Sequence, residues 1–80
     1  MGFGDRLRAE RKNSNLTAAE LAKSCGISRS YITLIENGQR LPSSKIMPKI
    51  ALALDIKTTI VLNWYLDALR EKVERKLELY

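Results

Sequence analysis

Apolar residues recur along this chain at intervals of three and four, and polar residues occupy most of the positions between them. This spacing collects the apolar side chains on one face of an α-helix, whereas a half-buried strand alternates at every second residue. The pattern is helical throughout, and glycine, proline and asparagine interrupt it where successive helices end. We therefore predict an all-α fold of five helices.

The first predicted helix starts at an Asp5 cap and ends near Asn13. The apolar spacing places Phe3 and Leu7 on its inward face. The basic side chains of this helix are expected to be largely solvated, and they are Arg6, Arg8, Arg11 and Lys12.

The next two predicted helices are short and are separated by a glycine. Thr17 stands three residues before Glu20, which predicts a capping box in which each side chain satisfies a backbone amide that the helix leaves unpaired. The second helix ends at Gly26, and Ser28 caps a third helix that reaches about Glu36. Two short helices joined by a tight turn have the arrangement of a helix-turn-helix, whose second helix fits the DNA major groove.

The last two predicted helices differ greatly in length. A loop containing Pro42 leads to a fourth helix that starts near Ile46, with Pro48 in its first turn. A fifth helix begins at Thr58 or Thr59 and continues without Gly or Pro to the end of the chain. It is unusually long for so small a domain.

The fifth helix carries a stripe of apolar residues on one face, formed by Leu62, Leu66, Leu69, Val73, Leu77 and Tyr80. This stripe could fold back on its own domain, but four short helices enclose a core too small to cover it. We therefore predict that the stripe is the seam of a homodimer. Trp64 and Tyr65 lie where the fifth helix leaves the body, and we expect them to pack against the fourth helix.

Length and charge indicate one domain with two tasks. Eighty residues form a single domain, since one hydrophobic core usually serves a longer chain than this. The net charge of +5 lies entirely in residues 1–57, with ten basic and five acidic side chains, whereas residues 58–80 hold four of each. A basic excess favours phosphate-rich partners. We assign residues 1–57 to DNA binding and residues 58–80 to dimerisation within that single domain.

The residue types present argue against catalysis and against metal binding. The chain has no His, no Gly-rich phosphate loop and only one cysteine, Cys25. We interpret Cys25 as a small buried hydrophobe, with a redox sensor as the alternative. We expect no enzymatic activity, no cofactor, no metal and no small-molecule ligand. The longest apolar run, Ile50 to Leu54, is far short of the ~20 residues of a membrane-spanning helix. A cytoplasmic protein without a membrane partner is expected.

Three stretches carry a resemblance to a known family. They read Leu-Thr-Ala-Ala-Glu-Leu-Ala at residues 16–22, Gly-Ile-Ser-Arg-Ser-Tyr-Ile at residues 26–32 and Ile-Glu-Asn-Gly-Gln-Arg at residues 35–40. Together they resemble the helix-turn-helix of phage Cro and cI repressors, also called the XRE family. The resemblance covers roughly residues 3–57, and it implies a five-helix DNA-binding domain in which the third helix reads bases.

On this resemblance, the candidate base-reading residues are Ser28, Arg29, Ser30 and Thr33. Arg29 can pair with guanine O6 and N7 through two parallel hydrogen bonds, and the hydroxyls are short donors and acceptors. For Ser28, a role as helix cap alone is at least as well supported as base contact. Tyr31 has two readings, since its hydroxyl could reach a phosphate or its ring could pack beside the second helix. The candidate phosphate-binding residues are Thr17, Tyr31, Asn37, Gln39, Arg40 and Lys45.

Two positions depart from the pattern of these repressors, and one pair follows it. Ala18 stands where the second helix usually opens with a Gln that reaches a phosphate. Leu34 stands where the recognition helix is often polar, and we expect it to join the core. The resemblance also implies an ion pair between Arg11 and Glu36 that fixes the angle between the first and third helices.

The expected function is that of a sequence-specific transcription regulator, most often a repressor in this family, which acts as a homodimer on a two-fold operator. The alternative is an antitoxin-type interaction module, whose long C-terminal helix binds a protein partner while the helix-turn-helix regulates its own operon.

Overall fold

The computed structural model describes residues 2–78, which form five helices and no strand. The helices are α1 (Phe3–Asn13), α2 (Ala18–Cys25), α3 (Arg29–Glu36), α4 (Met47–Leu54) and α5 (Thr58–Glu78). The predicted all-α, five-helix fold is confirmed.

The two helices of the helix-turn-helix are capped as predicted. The Thr17 hydroxyl accepts a hydrogen bond from the amide of Glu20, and the Glu20 carboxylate accepts one from the amide of Thr17. These bonds lower the pKa of the Glu20 carboxyl below its usual value, because they stabilise its charged form. The Ser28 hydroxyl accepts from the amide of Tyr31 at the start of α3.

The predicted start of α1 is wrong. The helix begins at Phe3 with Gly2 as its N-cap, and Asp5 lies inside the first turn instead of capping it. An earlier start extends the helix through Phe3, which is 3% exposed and therefore belongs to the core. The Asp5 carboxylate still suits this place, since a negative charge in the first turn opposes the helix dipole.

Gly4 lets α1 approach the end of α3 closely. A Cβ atom at this position would overlap the carbonyl oxygens of Ile35 and Glu36, which are backbone atoms that cannot turn aside. Gly4 is buried, as the second residue of α1. Only glycine therefore allows the two helices to pack at this separation.

The core draws on all five helices. Its buried members are Phe3, Leu7, Leu21, Ala22, Cys25, Ile32, Ile35, Ile50, Ala51, Leu54, Val61 and Trp64. The sequence predicts that Trp64 packs against α4, and its ring also meets the Phe3 ring of α1 edge to face, with centroids 5.8 Å apart. The first turns of α5 therefore complete the core that the shorter helices leave open.

Cys25 is 1% exposed and lies within this core. Burial raises the pKa of its thiol, and the nearby charge of Lys49 opposes that shift without reversing it. A thiol that is buried and protonated is a poor nucleophile. The structure therefore supports the interpretation of Cys25 as a small buried hydrophobe.

The second half of α5 extends away from the body. The described part of the chain measures 42 × 24 × 22 Å, and a helix of 21 residues is itself about 32 Å long. Leu66, Val73 and Leu77 of the predicted stripe are 50%, 54% and 67% exposed, so the stripe does not fold back on the domain. Tyr80 lies outside the described residues. None of the helices within residues 2–78 has the length and apolarity needed to cross a membrane.

Candidate nucleic-acid interface

Helices α2 and α3 pack against each other across a tight turn. Gly26 ends α2 in the left-handed conformation, with φ 68°, that glycine adopts without strain. Ile32 and Ile35 fix α3 on the core, with 0% and 1% exposure. The face on the other side of α3 is open to solvent, and it presents Arg29, Ser30 and Thr33.

The hydroxyls of the predicted base-reading residues are not equally available. The Ser28 oxygen caps α3, so the cap role is confirmed, while contact with a base stays a prediction. The Thr33 hydroxyl donates to the carbonyl oxygen of Arg29 at 3.1 Å, which leaves it an acceptor and a methyl group for a base. Neither Arg29 nor Ser30 has a side-chain hydrogen bond among the described residues. Arg29 is therefore a long, solvent-exposed hydrogen-bond donor on α3.

Of the two roles that the sequence left open for Tyr31, the structure shows the packing of its ring, while contact with a phosphate stays a prediction. Its ring is half-buried and packs on the core, and its hydroxyl accepts from the Ser43 amide at 3.4 Å. The guanidinium carbon of Arg40 lies 5.3 Å from the ring centroid, which is within reach of a cation–π interaction. The hydroxyl proton remains available to a phosphate, and the ring holds Arg40 beside the start of the loop to α4.

A cluster of ion pairs joins α1 to the end of α3. The Glu36 carboxylate accepts two hydrogen bonds from Arg11, at 2.7 and 3.0 Å, and one from Arg8 at 3.3 Å. Arg8 also donates to the side-chain oxygen of Asn37 at 2.9 Å. Glu36 is 6% exposed, and every buried polar side-chain atom among the described residues has a partner. The pair that the resemblance implied, Arg11 with Glu36, is confirmed.

The basic residues of α1 are less solvated than the sequence predicts. The Arg11 side chain is 12% exposed, and Arg6 pairs with Asp67 of α5 at 3.0 Å. The prediction that these residues and Arg8 are largely solvated is therefore wrong. Their acidic partners lie 25 to 61 residues away along the chain, so no local pattern shows them.

Arg8 is the residue at this site that sequence reasoning missed. Its bond to Asn37 occupies the carboxamide oxygen, which leaves the NH2 group of Asn37 as the donor for a phosphate. The available signal was spacing, because Arg8 and Arg11 are three residues apart and share one face of α1. One acidic partner can therefore bind both.

The remaining predicted positions lie around α3 as single exposed or half-buried side chains. Thr17, Gln39 and Lys45 are exposed. Ala18 is half-buried against the core, so only backbone amides at the start of α2 remain for a phosphate. Leu34 is half-buried and lies outside the core cluster, so the expectation that it joins the core is wrong. Its place on α3 leaves part of its surface beside the exposed polar face.

A helix-turn-helix family model matches residues 7–61, which is more than half of the chain. The chain belongs to the XRE-type helix-turn-helix family. Its matched region contains α2, the turn and α3, and it ends at Val61, where α5 completes the core. The family consists of DNA-binding transcription regulators and not of enzymes, so the prediction that the chain is not an enzyme is confirmed.

Several known proteins are similar to the chain. The ImmF control region 10 kDa protein of Bacillus phage phi105 is 36% identical over 59 residues, which are 74% of this chain and 66% of the phage protein. The restriction-modification controller protein C.AhdI from Aeromonas hydrophila has 41% identity and a TM-score of 0.70, and the match covers 74% of this chain and 89% of C.AhdI.

A third similar protein was solved with DNA. The P22 c2 repressor in complex with a synthetic operator has a TM-score of 0.74 and 26% identity, with 80% of this chain and 97% of the repressor covered. C.AhdI is named a controller and P22 c2 a repressor, and neither these nor the phi105 protein is named an antitoxin, so the matches do not favour the antitoxin alternative.

Proposed function

We propose that this protein is a sequence-specific DNA-binding transcription regulator that represses by occupying a two-fold operator as a homodimer. One observation carries the proposal. Helix α3 is fixed on the core by Ile32 and Ile35 and at its end by the Glu36 ion pairs, while Arg29 and Ser30 on its other face stay open to solvent. A rigid helix with exposed polar side chains is what direct reading of base edges requires.

The proposed contacts divide into two kinds. Arg29, Ser30 and Thr33 contact base edges, with Ser28 at the floor of the groove, and the surrounding residues bind phosphates. Those phosphate-binding residues are Thr17, Tyr31, Asn37, Gln39, Arg40 and Lys45. Base contacts give sequence preference, whereas phosphate contacts give register and a salt-dependent affinity.

Dimerisation is assigned to the exposed stripe of α5. Four residues of the stripe have side chains that are 41% to 67% exposed, namely Leu62, Leu66, Val73 and Leu77. Contiguous apolar surface of this kind marks an interaction site. We assign residues 1–57 to DNA binding and residues 58–80 to dimerisation within one domain. A regulator of this kind acts in the cytoplasm, where its operator lies.

Selection of binding sites from random double-stranded DNA tests the proposal. The full chain should enrich a two-fold symmetric sequence whose half-sites lie about one helical turn, ~10 base pairs, apart or a multiple of it. Failure to enrich any sequence over the starting pool would contradict sequence-specific binding. A single asymmetric site would contradict the homodimer.

A further inference from the structure

Helix α5 separates its charges, although its basic and acidic residues are equal in number. Within residues 2–78, Arg70 pairs with Glu74 at 2.8 Å and Asp67 pairs with Arg6 at 3.0 Å. The remaining basic residues of this helix form no ion pair with any described residue, and they are Lys72, Arg75 and Lys76. Glu71 also has no ion-pair partner within residues 2–78 and lies among these cations, so this side of α5 carries three basic residues and one acidic residue.

That basic side faces a groove between α5 and the body of the domain. The groove has a volume of about 560 Å³, and Lys72, Arg75 and Lys76 form one wall. The opposite wall is the start of α1 and the turn after α3, which includes Asn37, Gln39 and Arg40. The unpaired cations of α5 thus share one groove with a loop that the proposed function assigns to phosphate binding.

The balance of charge in the groove is positive. Besides the three α5 cations it contains Arg40, and its acidic members are Asp5, Glu36 and Glu71. Glu36 is already bound by Arg8 and Arg11, so its charge is compensated from outside the groove. Four cations therefore face two carboxylates, Asp5 and Glu71, that no basic residue outside the groove compensates, and a cleft with a positive balance attracts anions.

The floor of the groove distinguishes between two kinds of polyanion. An acidic amphipathic peptide would need apolar surface for its hydrophobic side chains. The groove offers only two partly exposed apolar side chains, Leu41 and Ala68, because Phe3 and Ile35 below it are 3% and 1% exposed. An amphipathic helix binds through a longer run of apolar anchors. A nucleic-acid backbone needs only cations and backbone donors, which this groove supplies.

We propose that the basic side of α5 is a second phosphate-binding wall, so that Lys72, Arg75 and Lys76 grip the DNA backbone together with the loop of Arg40. The C-terminal helix then serves both dimerisation and DNA binding, on two different sides. This inference rests on the proposed function, since it extends the same DNA contact beyond the helix-turn-helix.

The test measures the salt dependence of DNA binding with the full chain. Each phosphate neutralised on duplex DNA contributes about 0.9 to the slope of log K against log salt concentration. Arg75→Ala should reduce that slope by about one unit per protomer, and the variant lacking all three cations by about two to three. The reduction should be equal on the selected operator and on unrelated DNA, because phosphates carry no sequence information.

Arg70→Ala is the matched control, because it removes the same residue type from the same helix but beside Asp67 and Glu74 instead of in the groove. It should leave the slope unchanged. Alanine favours helix, and sedimentation of each variant checks that the dimer persists. If the parent chain binds DNA and all variants keep its slope, the second wall is overturned while the proposed function stands. If the parent chain binds no DNA, both fail.

Discussion

Arg11 and Glu36 form a buried, two-bond ion pair that joins α1 to the end of α3. The two hydrogen bonds are 2.7 and 3.0 Å long, and the side chains are 12% and 4% exposed. Arg11 also donates to the carbonyl oxygen of Leu16 at 2.8 Å. The hydrogen bonds to Glu36 raise the pKa of the Arg11 guanidinium above its ordinary value, although burial opposes this. The Arg11 guanidinium therefore stays charged, and its two bonds to Glu36 set the angle between the two helices.

A double-mutant cycle on Arg11→Ala and Glu36→Ala should measure a coupling free energy of about 1 to 3 kcal/mol in the free energy of unfolding. The value should exceed the ~0 to 1 kcal/mol of an exposed pair, because both side chains are largely removed from water. Chemical denaturation of the four proteins supplies the measurement. Coupling indistinguishable from zero would show that the pair contributes no stability.

Arg8 provides the control for that cycle. Its side chain is 41% exposed and reaches Glu36 through one bond of 3.3 Å. The cycle of Arg8→Ala with Glu36→Ala should give a coupling below ~1 kcal/mol. Equal coupling for Arg8 and Arg11 would mean that burial and bond number do not decide the strength of these contacts.

Gly4→Ala should destabilise the fold by about 1 to 3 kcal/mol, since a methyl group would overlap the carbonyl oxygens of Ile35 and Glu36. The sign of the change in the free energy of unfolding shows whether the overlap matters, because glycine to alanine at an unhindered helical position stabilises by ~0.5 to 1 kcal/mol. Thermal unfolding gives the comparison. A variant Gly4→Ala at least as stable as the parent would show that the helices can separate at little cost.

The elements of this fold could be predicted because their signals are local. The capping box of Thr17 and Glu20 is complete within four residues, and Gly26 ends α2 by its own conformational freedom. The start of α1 was missed because tertiary packing decided it, through the burial of Phe3. A favourable cap residue at Asp5 could not outweigh a core contact formed with Trp64, which lies at the other end of the sequence.

One part of the candidate site could likewise be predicted from the sequence, and another part could not. The exposed face of α3 follows from the periodicity that buries Ile32 and Ile35, so Arg29 could be placed from the sequence. The groove along α5 could not, because it needs the relative position of α1, the turn after α3 and the second half of α5. A count of charges along residues 58–80 gives zero, and only the folded chain shows which side each charge faces.

The exposed stripe of α5 predicts that single charges on it will break the homodimer. We expect the parent chain to be a dimer at ~10 μM, and Leu66→Glu and Val73→Glu should each give a monomer there, because a carboxylate cannot be buried unpaired in an apolar seam. Sedimentation measures both. Ile60→Glu is the control, since Ile60 is 40% exposed on the same helix but lies off the stripe.

A shortened chain offers a second test of the seam, provided that it keeps the core. Truncation must retain Trp64, which is 7% exposed and packs on Phe3, so a cut after Leu69 is suitable. This shortened chain should stay folded and become monomeric. If the parent chain itself sediments as a monomer at ~10 μM, the stripe is not a dimer seam.

Variants of Arg29, at the start of α3, and of Arg40, in the loop after it, should distinguish base reading from phosphate binding. Arg29 lies on the exposed face of α3, where a bidentate contact with guanine is worth ~1 to 3 kcal/mol against other bases. Arg29→Ala should therefore flatten the base preference at one position of each half-site.

Arg40 lies in the loop beyond α3, beside the Tyr31 ring. Arg40→Ala should therefore weaken binding to all sequences alike and lower the slope of log K against log salt concentration by about one unit. Site selection and salt titration of both variants give the comparison. Unchanged base preferences in Arg29→Ala would show that another residue reads the operator.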